Sequence, residues 1–243
     1  MVTAITHRWF SRWMHSLKLS VFPSKCKGCG SFLVFKDEDI VCNECKKKIT
    51  LTADPTCRVC GKIVGNRYDI CGQCIIQLPP FRRHLSYSRY WDLLKELILL
   101  YKYGGIERLK YLFAGCYMEM FYERVREPFD YVVPVPPDRS RKREFGPILE
   151  IAKILSEKLG FRLLSDYLIK AKKTPPQASL TKAKRMKNLD GAFKLNHSRG
   201  IRLEGKKILL IDDVYTTGTT VNQCTQLLVK EKADVVVLTL ARS

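Results

Sequence analysis

The sequence predicts an α/β domain that is built on a parallel sheet and preceded by a small cysteine-rich module. Three observations lead to this prediction. Apolar runs of strand length alternate with amphipathic helical patterns after residue 81, KKILLIDDV reads as a strand buried on both faces, and four C-x-x-C pairs fall within residues 26–74. With 243 residues, 46% of them hydrophobic, the chain can bury one substantial core and a smaller module.

Residues 1–20 are predicted to form an amphipathic helix. This segment mixes charged, aromatic and histidine residues, and it lacks the apolar core and small-residue cleavage site of a secretory signal. The sequence also contains no run of 18 apolar residues, the length that a membrane helix requires. We therefore expect a cytoplasmic protein without a membrane span.

Residues 21–80 are predicted to form two zinc ribbons. Two thiolates three residues apart on a tight knuckle can bind one tetrahedral ion, and a second knuckle completes the four ligands. CKGCG and CRVCG repeat one pattern, which favours successive ribbons over the alternative, a cross-braced pairing. Four-cysteine sites leave no position open for substrate, so we expect two structural Zn²⁺ ions. The predicted ligands are Cys26, Cys29, Cys42, Cys45, Cys57, Cys60, Cys71 and Cys74.

A redox role for the C-x-x-C pairs is the rival interpretation. A redox motif is normally single and lies at a strand-to-helix turn, whereas this chain has four pairs in one short segment. The two remaining cysteines, Cys116 and Cys224, lie in helical patterns. We expect both to be buried as small apolar residues.

Residues 81–243 are predicted to alternate between strands and helices. YSRYWDLLKELILLYKYGG predicts a short strand and a helix that ends at Gly104-Gly105, and RLKYLFAGCYMEMFYERV predicts another helix. FDYVVPVP predicts a buried strand stopped by prolines, and PILEIAKILSEKLG predicts a helix with proline at its start and Gly160 at its end. KKILLIDDV, TVNQCTQLLVKEKA and DVVVLTLA then predict strand, helix and strand. Such alternation is typical of a parallel sheet flanked by helices.

The stretch LLIDDVYTTGTT, residues 209–220, lies where ligands of such sheets bind, at the carboxyl end of a strand. Its hydroxyl side chains, a glycine that allows close backbone approach, and the free N–H groups of the following helix together predict a phosphate site. It is not a Walker loop, because the chain has no G-x-x-x-x-G-K-[ST] motif. The predicted phosphate-binding residues are Thr216, Thr217, Gly218, Thr219 and Thr220.

Asp212 and Asp213 directly precede this loop. Two carboxylates cannot also bind phosphate without repulsion, so they are expected to face a different group. Vicinal hydroxyls one sugar away from the phosphate meet that requirement. Phosphate on one side and a diol on the other describe a ribose 5-phosphate.

ILLIDDVYTTGTT resembles the signature of type I phosphoribosyltransferases, which bind 5-phosphoribosyl-1-pyrophosphate (PRPP). Preceded by two cysteine-rich ribbons, it is similar to the ComF family of competence-related proteins over nearly the whole chain. The resemblance implies a type I phosphoribosyltransferase fold, PRPP with Mg²⁺ as ligand, and Asp212 and Asp213 as catalytic residues. It also implies that Arg141, Arg143 and Lys102 join residues 216–220 in binding PRPP.

Two further stretches carry the resemblance. VVPVPPDRSRKREFG corresponds to the family's pyrophosphate loop, although Arg143-Glu144-Phe145-Gly146-Pro147 stands where the family usually has Arg-Gly-Phe-Asn-Gln. An exposed basic turn is the alternative interpretation of residues 141–143. KKTPPQASLTKAKRMKNLDGAFKL corresponds to the family's flexible loop, whose matching residues are Thr174, Gln177, Arg185, Asn188 and Phe193.

Thr216 occupies the position at which purine transferases of this fold resemble one another in carrying an aspartate as general base. Purine salvage is therefore disfavoured, although orotate-type enzymes tolerate threonine there. The sequence does not identify the acceptor.

Positive charge is concentrated in one segment. The net charge of the chain is +19, and residues 138–207 hold 19 Lys/Arg against 7 Asp/Glu. Such a field attracts polyanions, and the alternative is a solvated basic face. No aromatic stacking surface is evident within this segment. The resemblance implies single-stranded DNA as the polyanion, with Lys182, Lys184, Arg185 and Lys187 as the predicted contacts.

Two functional hypotheses follow. The first is a PRPP-binding, phosphoribosyltransferase-like protein of the DNA-uptake machinery, with single-stranded DNA and helicase-type competence proteins as partners. The second is an active phosphoribosyltransferase of nucleotide or nucleobase metabolism that is unrelated to DNA uptake. In that reaction an acceptor nitrogen displaces pyrophosphate at the anomeric carbon of the ribose.

Overall fold

The computed structural model describes residues 25–33, 40–65, 68–137, 146–171 and 191–243. These residues belong to two compact units, one ending at Thr50 and the other extending from Leu51 to Ser243. The predicted helix at residues 1–20 lies outside the described residues. No helix within the described ranges is long and apolar enough to cross a membrane. The division of the chain after residue 80 stays a prediction.

Each unit contains one cysteine-rich knuckle followed by a short helix. In the smaller unit, an antiparallel bridge joins Lys25 to Phe32, and helix α1 (Asn43–Lys47) begins after Cys42. In the larger unit, the corresponding bridge joins Thr56 to Ile63. Helix α2 (Gly72–Ile76) follows that second knuckle. The sequence repeat of CKGCG and CRVCG is thus also a structural repeat.

The core of the larger unit is a parallel sheet in which the described strands have the order β1-β7-β6-β2-β3. Strand β6 lies at its centre, and its segment from Ile208 to Ile211 is buried, as its continuous apolar run predicts. The strands are β1 (Arg83–Arg89), β2 (Tyr131–Pro134), β3 (Arg162–Leu163), β6 (Lys207–Tyr215) and β7 (Asp234–Arg242).

Helices connect these strands as the sequence predicts. Gly104 caps the C-terminus of α3, and Gly160 ends α5 with a left-handed φ of 74°, a conformation that glycine adopts without strain. Proline at the first turn of α5 fits its N-terminus because the missing N–H has no partner there. The helices are α3 (Asp92–Tyr103), α4 (Leu109–Met120), α5 (Pro147–Leu159) and α6 (Thr219–Lys230), with a π-helical turn at Phe121–Val125 and a 3₁₀ turn at His197–Arg199.

Two features differ from the expected element order. Strands β4 (Leu168–Lys170) and β5 (Phe193–Leu195) form a separate antiparallel pair, and Phe193, assigned from the resemblance to the flexible loop, lies in β5. Strand β6 also extends to Tyr215, one residue beyond the predicted segment. The α/β fold with a parallel central sheet and N-terminal cysteine clusters is confirmed.

Candidate functional site

The loop after β6 has the geometry of an anion site. Gly218 is the N-cap of α6 with φ 75°, and a Cβ at this position would lie 2.1 Å from the hydroxyl oxygen of Tyr215. Glycine is therefore required for both backbone conformation and space. The free N–H groups of the first turn of α6 are available to an anion, because a glycine N-cap supplies no side-chain acceptor.

Hydroxyl groups line the same concavity. The Oγ1 atoms of Thr217 and Thr219 lie 2.8 Å apart on either side of Gly218. Asp212 and residues 214–221 line a space of about 200 Å³, part of which is open solvent. The five predicted phosphate-binding residues, 216–220, thus lie around one opening, next to one of the two aspartates. We call residues 216–220 the phosphate loop.

The two aspartates are held in place from several directions. The backbone N–H of Asp213 donates to Oδ1 of Asp212 at 2.9 Å, and the hydroxyl of Tyr117 in α4 donates to the backbone carbonyl of Asp212. Nζ of Lys102, near the C-terminus of α3, lies 2.6 Å from Oδ2 of Asp213. The structure thus brings Lys102, predicted from the family resemblance, into direct contact with the acidic pair.

The electrostatics of Asp212, Asp213 and Lys102 favour a ligand that offsets the repulsion between the two carboxyl groups. Burial and the charge of Asp213 raise the pKa of Asp212 above its ordinary value. Burial opposes the charged form of Lys102, but the Asp213 carboxylate outweighs it and raises the Lys102 pKa. One ammonium therefore faces two adjacent carboxyl groups. Hydroxyl donors or a cation near Asp212 would relieve this imbalance.

Strand β2, which pairs with β6, is followed in the sequence by the predicted pyrophosphate loop. Pro134 at the end of β2 is in register with Ile211 of β6, so the chain leaves the sheet beside Asp212. Arg141 and Arg143 follow this point but lie outside the described residues, as do Lys182, Lys184, Arg185 and Lys187. Their predicted roles stay predictions.

The first cysteine cluster fits a tetrahedral metal site. Four Sγ atoms lie within 4.8 Å of one another, and those of Cys29 and Cys42 are 3.8 Å apart. Zinc–sulfur bonds of about 2.3 Å in tetrahedral geometry place the sulfurs about 3.8 Å apart. Backbone N–H groups of Gly28 and Cys42 donate to Sγ of Cys26 at 3.3 and 3.2 Å, which stabilises a thiolate. The cluster comprises Cys26, Cys29, Cys42 and Cys45.

The second cluster repeats this arrangement in a more buried setting. All four of its cysteines are buried, and Sγ of Cys60 and Sγ of Cys71 are 3.6 Å apart. Its members are Cys57, Cys60, Cys71 and Cys74. Each cluster thus draws its ligands from consecutive C-x-x-C pairs, which resolves the pairing in favour of successive ribbons. Cys116 and Cys224 are buried elsewhere, as expected.

Sequence reasoning missed the residues that join the second cluster to the sheet. Nη1 of Arg242 and Nδ1 of His84 lie 2.6 and 2.8 Å from the carbonyl oxygen of Cys60. The His84 ring stacks on Tyr215, the residue directly before the phosphate loop, with ring centroids 4.2 Å apart. No local pattern marks His84 or Arg242, since their partners are distant in sequence. Tyr215 lies within the LLIDDVYTTGTT stretch but is not among the residues predicted to bind phosphate.

Comparison with known proteins supports both parts of this architecture. The double zinc ribbon domain matches residues 18–81, and the phosphoribosyl transferase domain matches residues 149–241. Competence protein F of Haemophilus influenzae is 27% identical over 87% of this chain and 93% of its own length. Competence protein ComFC of Streptococcus pneumoniae is 28% identical over 90% of this chain and 100% of its own length. DNA utilization protein YhgH of Escherichia coli K12 is 27% identical over 81% of this chain and 87% of its own length.

Fold, cysteine clusters and matches together define a phosphoribosyltransferase-type domain joined to a double zinc ribbon. Proteins named for competence are similar to this chain in sequence over most of their length. The sequence resemblance to competence-related proteins is thus confirmed, since relatives named competence protein F and ComFC are 27% and 28% identical over most of this chain.

The cluster geometry predicts a zinc content that can be measured directly. Protein purified under reducing conditions should contain two zinc ions per chain, because two separate sets of four thiols are preassembled. Elemental analysis of the wild type and of Cys42→Ser measures this, and the variant should retain about one ion. About one ion in the wild type, or none with an intact fold, would contradict two structural sites.

Proposed function

We propose that this chain is a PRPP-binding, phosphoribosyltransferase-like protein that acts in DNA uptake and transformation. The observation that supports PRPP binding best is the juxtaposition, at the carboxyl end of β6, of a partly buried acidic pair and a helix N-terminus that begins at Gly218. The 5-phosphate binds the N–H groups and hydroxyls of the phosphate loop. The ribose hydroxyls donate to the carboxylates of Asp212 and Asp213.

The pyrophosphate group of PRPP extends toward the segment that follows β2. This direction follows from the pairing of Pro134 with Ile211, which places the start of that segment beside the acidic pair. Arg141 and Arg143 are the cations assigned to it by the family resemblance. Mg²⁺ bound with PRPP supplies charge neutralisation of the pyrophosphate. Lys102, already 2.6 Å from Asp213, adds a positive charge on the sugar side.

Catalysis of phosphoribosyl transfer is the second candidate function. In such a reaction an acceptor nitrogen bonds to the anomeric carbon as the carbon–oxygen bond to pyrophosphate breaks, and positive charge develops on the ribose. The observation that favours it is the partly buried acidic pair of Asp212 and Asp213 at the end of β6, since negative charge on this pair would stabilise that transition state. Thr216 stands where a carboxylate base would be expected in purine enzymes, so a purine is disfavoured as acceptor.

The DNA partner is proposed from charge and from the names of the relatives. Competence protein F and DNA utilization protein YhgH match most of this chain, and residues 138–207 carry a net charge of +12. The structure adds exposed aromatic rings outside that segment. Trp91 is 71% exposed and Tyr111 is 60% exposed, and Nζ of Lys110 lies 5.6 Å from the Tyr111 ring centroid. Exposed rings beside cations suit the stacking of single-stranded bases.

Two assays test the proposed function. PRPP with Mg²⁺ should raise the free energy of unfolding of the zinc-loaded protein, by about 2.7 kcal/mol at about 100 times the dissociation constant, because it binds only the folded state. Pyrophosphate release should then be measured with candidate acceptors, with and without single-stranded DNA. Stabilisation without release favours a binding protein, and release favours the enzyme. An unchanged unfolding free energy would contradict PRPP binding itself.

Binding of single-stranded DNA is predicted to fall steeply with salt. Each phosphate contact releases counterions and contributes about −0.7 to the slope of log affinity against log salt. Charge reversal of Lys182, Lys184, Arg185 and Lys187 to glutamate should abolish binding, as measured by fluorescence anisotropy of a labelled oligonucleotide.

A matched control separates local contacts from net charge. Reversal of four exposed lysines outside residues 138–207, Lys48, Lys62, Lys95 and Lys230, changes the net charge equally and should retain most of the affinity. Equal losses in both variants would show that net charge alone attracts DNA. Unchanged affinity in the first variant would place the DNA surface elsewhere.

A further inference from the structure

We propose that the second cysteine cluster positions the phosphate loop, and that Tyr215, His84 and Arg242 transmit this effect. The inference rests on the proposed function, because it assumes that the phosphate loop binds the 5-phosphate of PRPP. It assigns these three residues a positioning role, since each acts through the loop. It also means that the second zinc ribbon contributes to the geometry of the ligand site.

The Tyr215 side chain packs against the phosphate loop at Gly218. It is 5% exposed and ends β6, and its hydroxyl oxygen occupies the space that a Cβ on Gly218 would need, at 2.1 Å. Any displacement of this ring therefore changes the space available to the loop backbone at Gly218. The position of Gly218 in turn sets the direction of the first N–H groups of α6.

Two side chains hold the Tyr215 ring on its faces. The His84 ring stacks on it at 4.2 Å with an interplanar angle of 23°, and the guanidinium of Arg242 lies 4.5 Å from its centroid. Stacking and cation–π contacts both depend on the relative placement of the groups. The ring is thus fixed by the two residues that also reach the second cluster.

The carbonyl oxygen of Cys60 is the point at which both side chains meet the cluster. It accepts hydrogen bonds from Nη1 of Arg242 at 2.6 Å and from Nδ1 of His84 at 2.8 Å. Since a carbonyl can only accept, Nδ1 carries the His84 proton, and Nε2 lies 2.9 Å from the Thr239 hydroxyl and 3.3 Å from the Ser86 hydroxyl, either of which can donate to it. Burial of His84 makes each of these bonds costly to lose.

The knuckle that carries Cys60 also packs directly on β1. The backbone N–H of His84 donates to the carbonyl of Val59 at 2.8 Å, and a Cβ on Gly61 would lie 2.9 Å from the His84 carbonyl oxygen. A tetrahedral ion held by the four buried thiolates fixes the knuckle and therefore the Cys60 carbonyl. Loss of the ion frees the knuckle, and the displacement reaches Gly218 through His84, Arg242 and Tyr215.

Thermodynamic linkage gives this inference a direct test. If metal at the second cluster strengthens ligand binding at the loop, the ligand must strengthen metal binding by the same factor. Ribose 5-phosphate is the appropriate probe, because it occupies the phosphate loop without the pyrophosphate segment. The equilibrium partition of zinc between the full chain and a chromogenic chelator should be measured with and without saturating ribose 5-phosphate.

Saturating ribose 5-phosphate should lower the apparent dissociation constant of one of the two zinc ions by about fivefold or more. The same shift should persist in Cys42→Ser, whose remaining zinc belongs to the second cluster. Arg242→Gln should abolish the shift and weaken ribose 5-phosphate binding in calorimetry. Tyr215→Phe, which keeps the ring and its stacking, should retain more of both effects than Tyr215→Leu. Arg82→Gln is the control, because its guanidinium pairs with Glu127 and Asp234 instead.

The outcomes distinguish the inference from the proposed function. If the wild type binds ribose 5-phosphate but the zinc affinities of the wild type and of Cys42→Ser are unaffected, the positioning role is wrong and PRPP binding stands. If Arg242→Gln folds and binds ribose 5-phosphate as the wild type does, the link through Cys60 is likewise wrong. If the wild type binds neither ribose 5-phosphate nor PRPP, the proposed function fails and the inference fails with it. The Cys42→Ser measurement decides the question even if Arg242→Gln does not fold.

Discussion

Gly218→Val should abolish binding of both PRPP and ribose 5-phosphate. A Cβ at this position would lie 2.1 Å from the Tyr215 hydroxyl oxygen, and the φ of 75° is unfavourable for a β-branched residue. Because the loop must move to accept the side chain, we expect an affinity loss of about a hundredfold or more, equivalent to about 2.8 kcal/mol. Isothermal titration calorimetry measures it. Inorganic pyrophosphate, which binds mainly near residues 141–143, should lose little affinity.

Gly205→Val provides the matched control for this substitution. Gly205 also has a left-handed φ, 69°, but no heavy atom lies within 4 Å of the position of an added Cβ. The control therefore introduces the same backbone strain without the clash, in the turn that precedes β6. It should lower stability and leave ligand affinity unchanged. Equal affinity losses in both variants would attribute the effect to general destabilisation, not to the phosphate loop.

Asp213→Ala should weaken PRPP binding by at least about tenfold. The substitution removes charge-assisted contacts to the ribose hydroxyls, each worth about 1.5–3 kcal/mol. It also removes the carboxylate that lies 2.6 Å from Nζ of Lys102, leaving that partly buried ammonium without this partner. Calorimetry gives the affinity, and chemical denaturation gives the free energy of unfolding.

A second substitution separates the loss of the ligand contact from the loss of the ion pair. The double variant Asp213→Ala/Lys102→Met removes both charges, so it should recover stability relative to Asp213→Ala but not recover PRPP affinity. Asp234→Ala is the control, since Asp234 pairs with Arg82 at the start of β7. Recovery of affinity in the double variant would mean that Asp213 affects binding only by neutralising Lys102.

The sequence predicts the parallel sheet and the phosphate loop well, for physical reasons that are local. Strand β6 and helix α6 are specified by a continuous apolar run, a glycine and an amphipathic pattern within residues 207–230. The cysteine ligands are equally local, because C-x-x-C spacing follows from the reach of two thiolates around one ion. Each of these predictions depends only on neighbours in the chain.

The parts that the sequence did not predict depend on long-range contacts. Cys60 and Arg242 are 182 residues apart, and no local sequence pattern at either residue predicts the hydrogen bond between them. The pairing of β4 with β5 joins two three-residue strands, which are too short for a periodic signal. The second ribbon's contact with the sheet likewise depends on burial that only the assembled fold creates.

The most direct test of PRPP binding at the end of β6 is one calorimetric series with PRPP and Mg²⁺. The zinc-loaded wild type and Gly205→Val should each bind one PRPP per chain with equal affinity. Asp213→Ala should bind at least about tenfold more weakly, and Gly218→Val should show no measurable binding under the same conditions. Absence of binding by the wild type, or equal affinity in all four proteins, would contradict a phosphate-and-diol site formed by Asp212, Asp213 and residues 216–220.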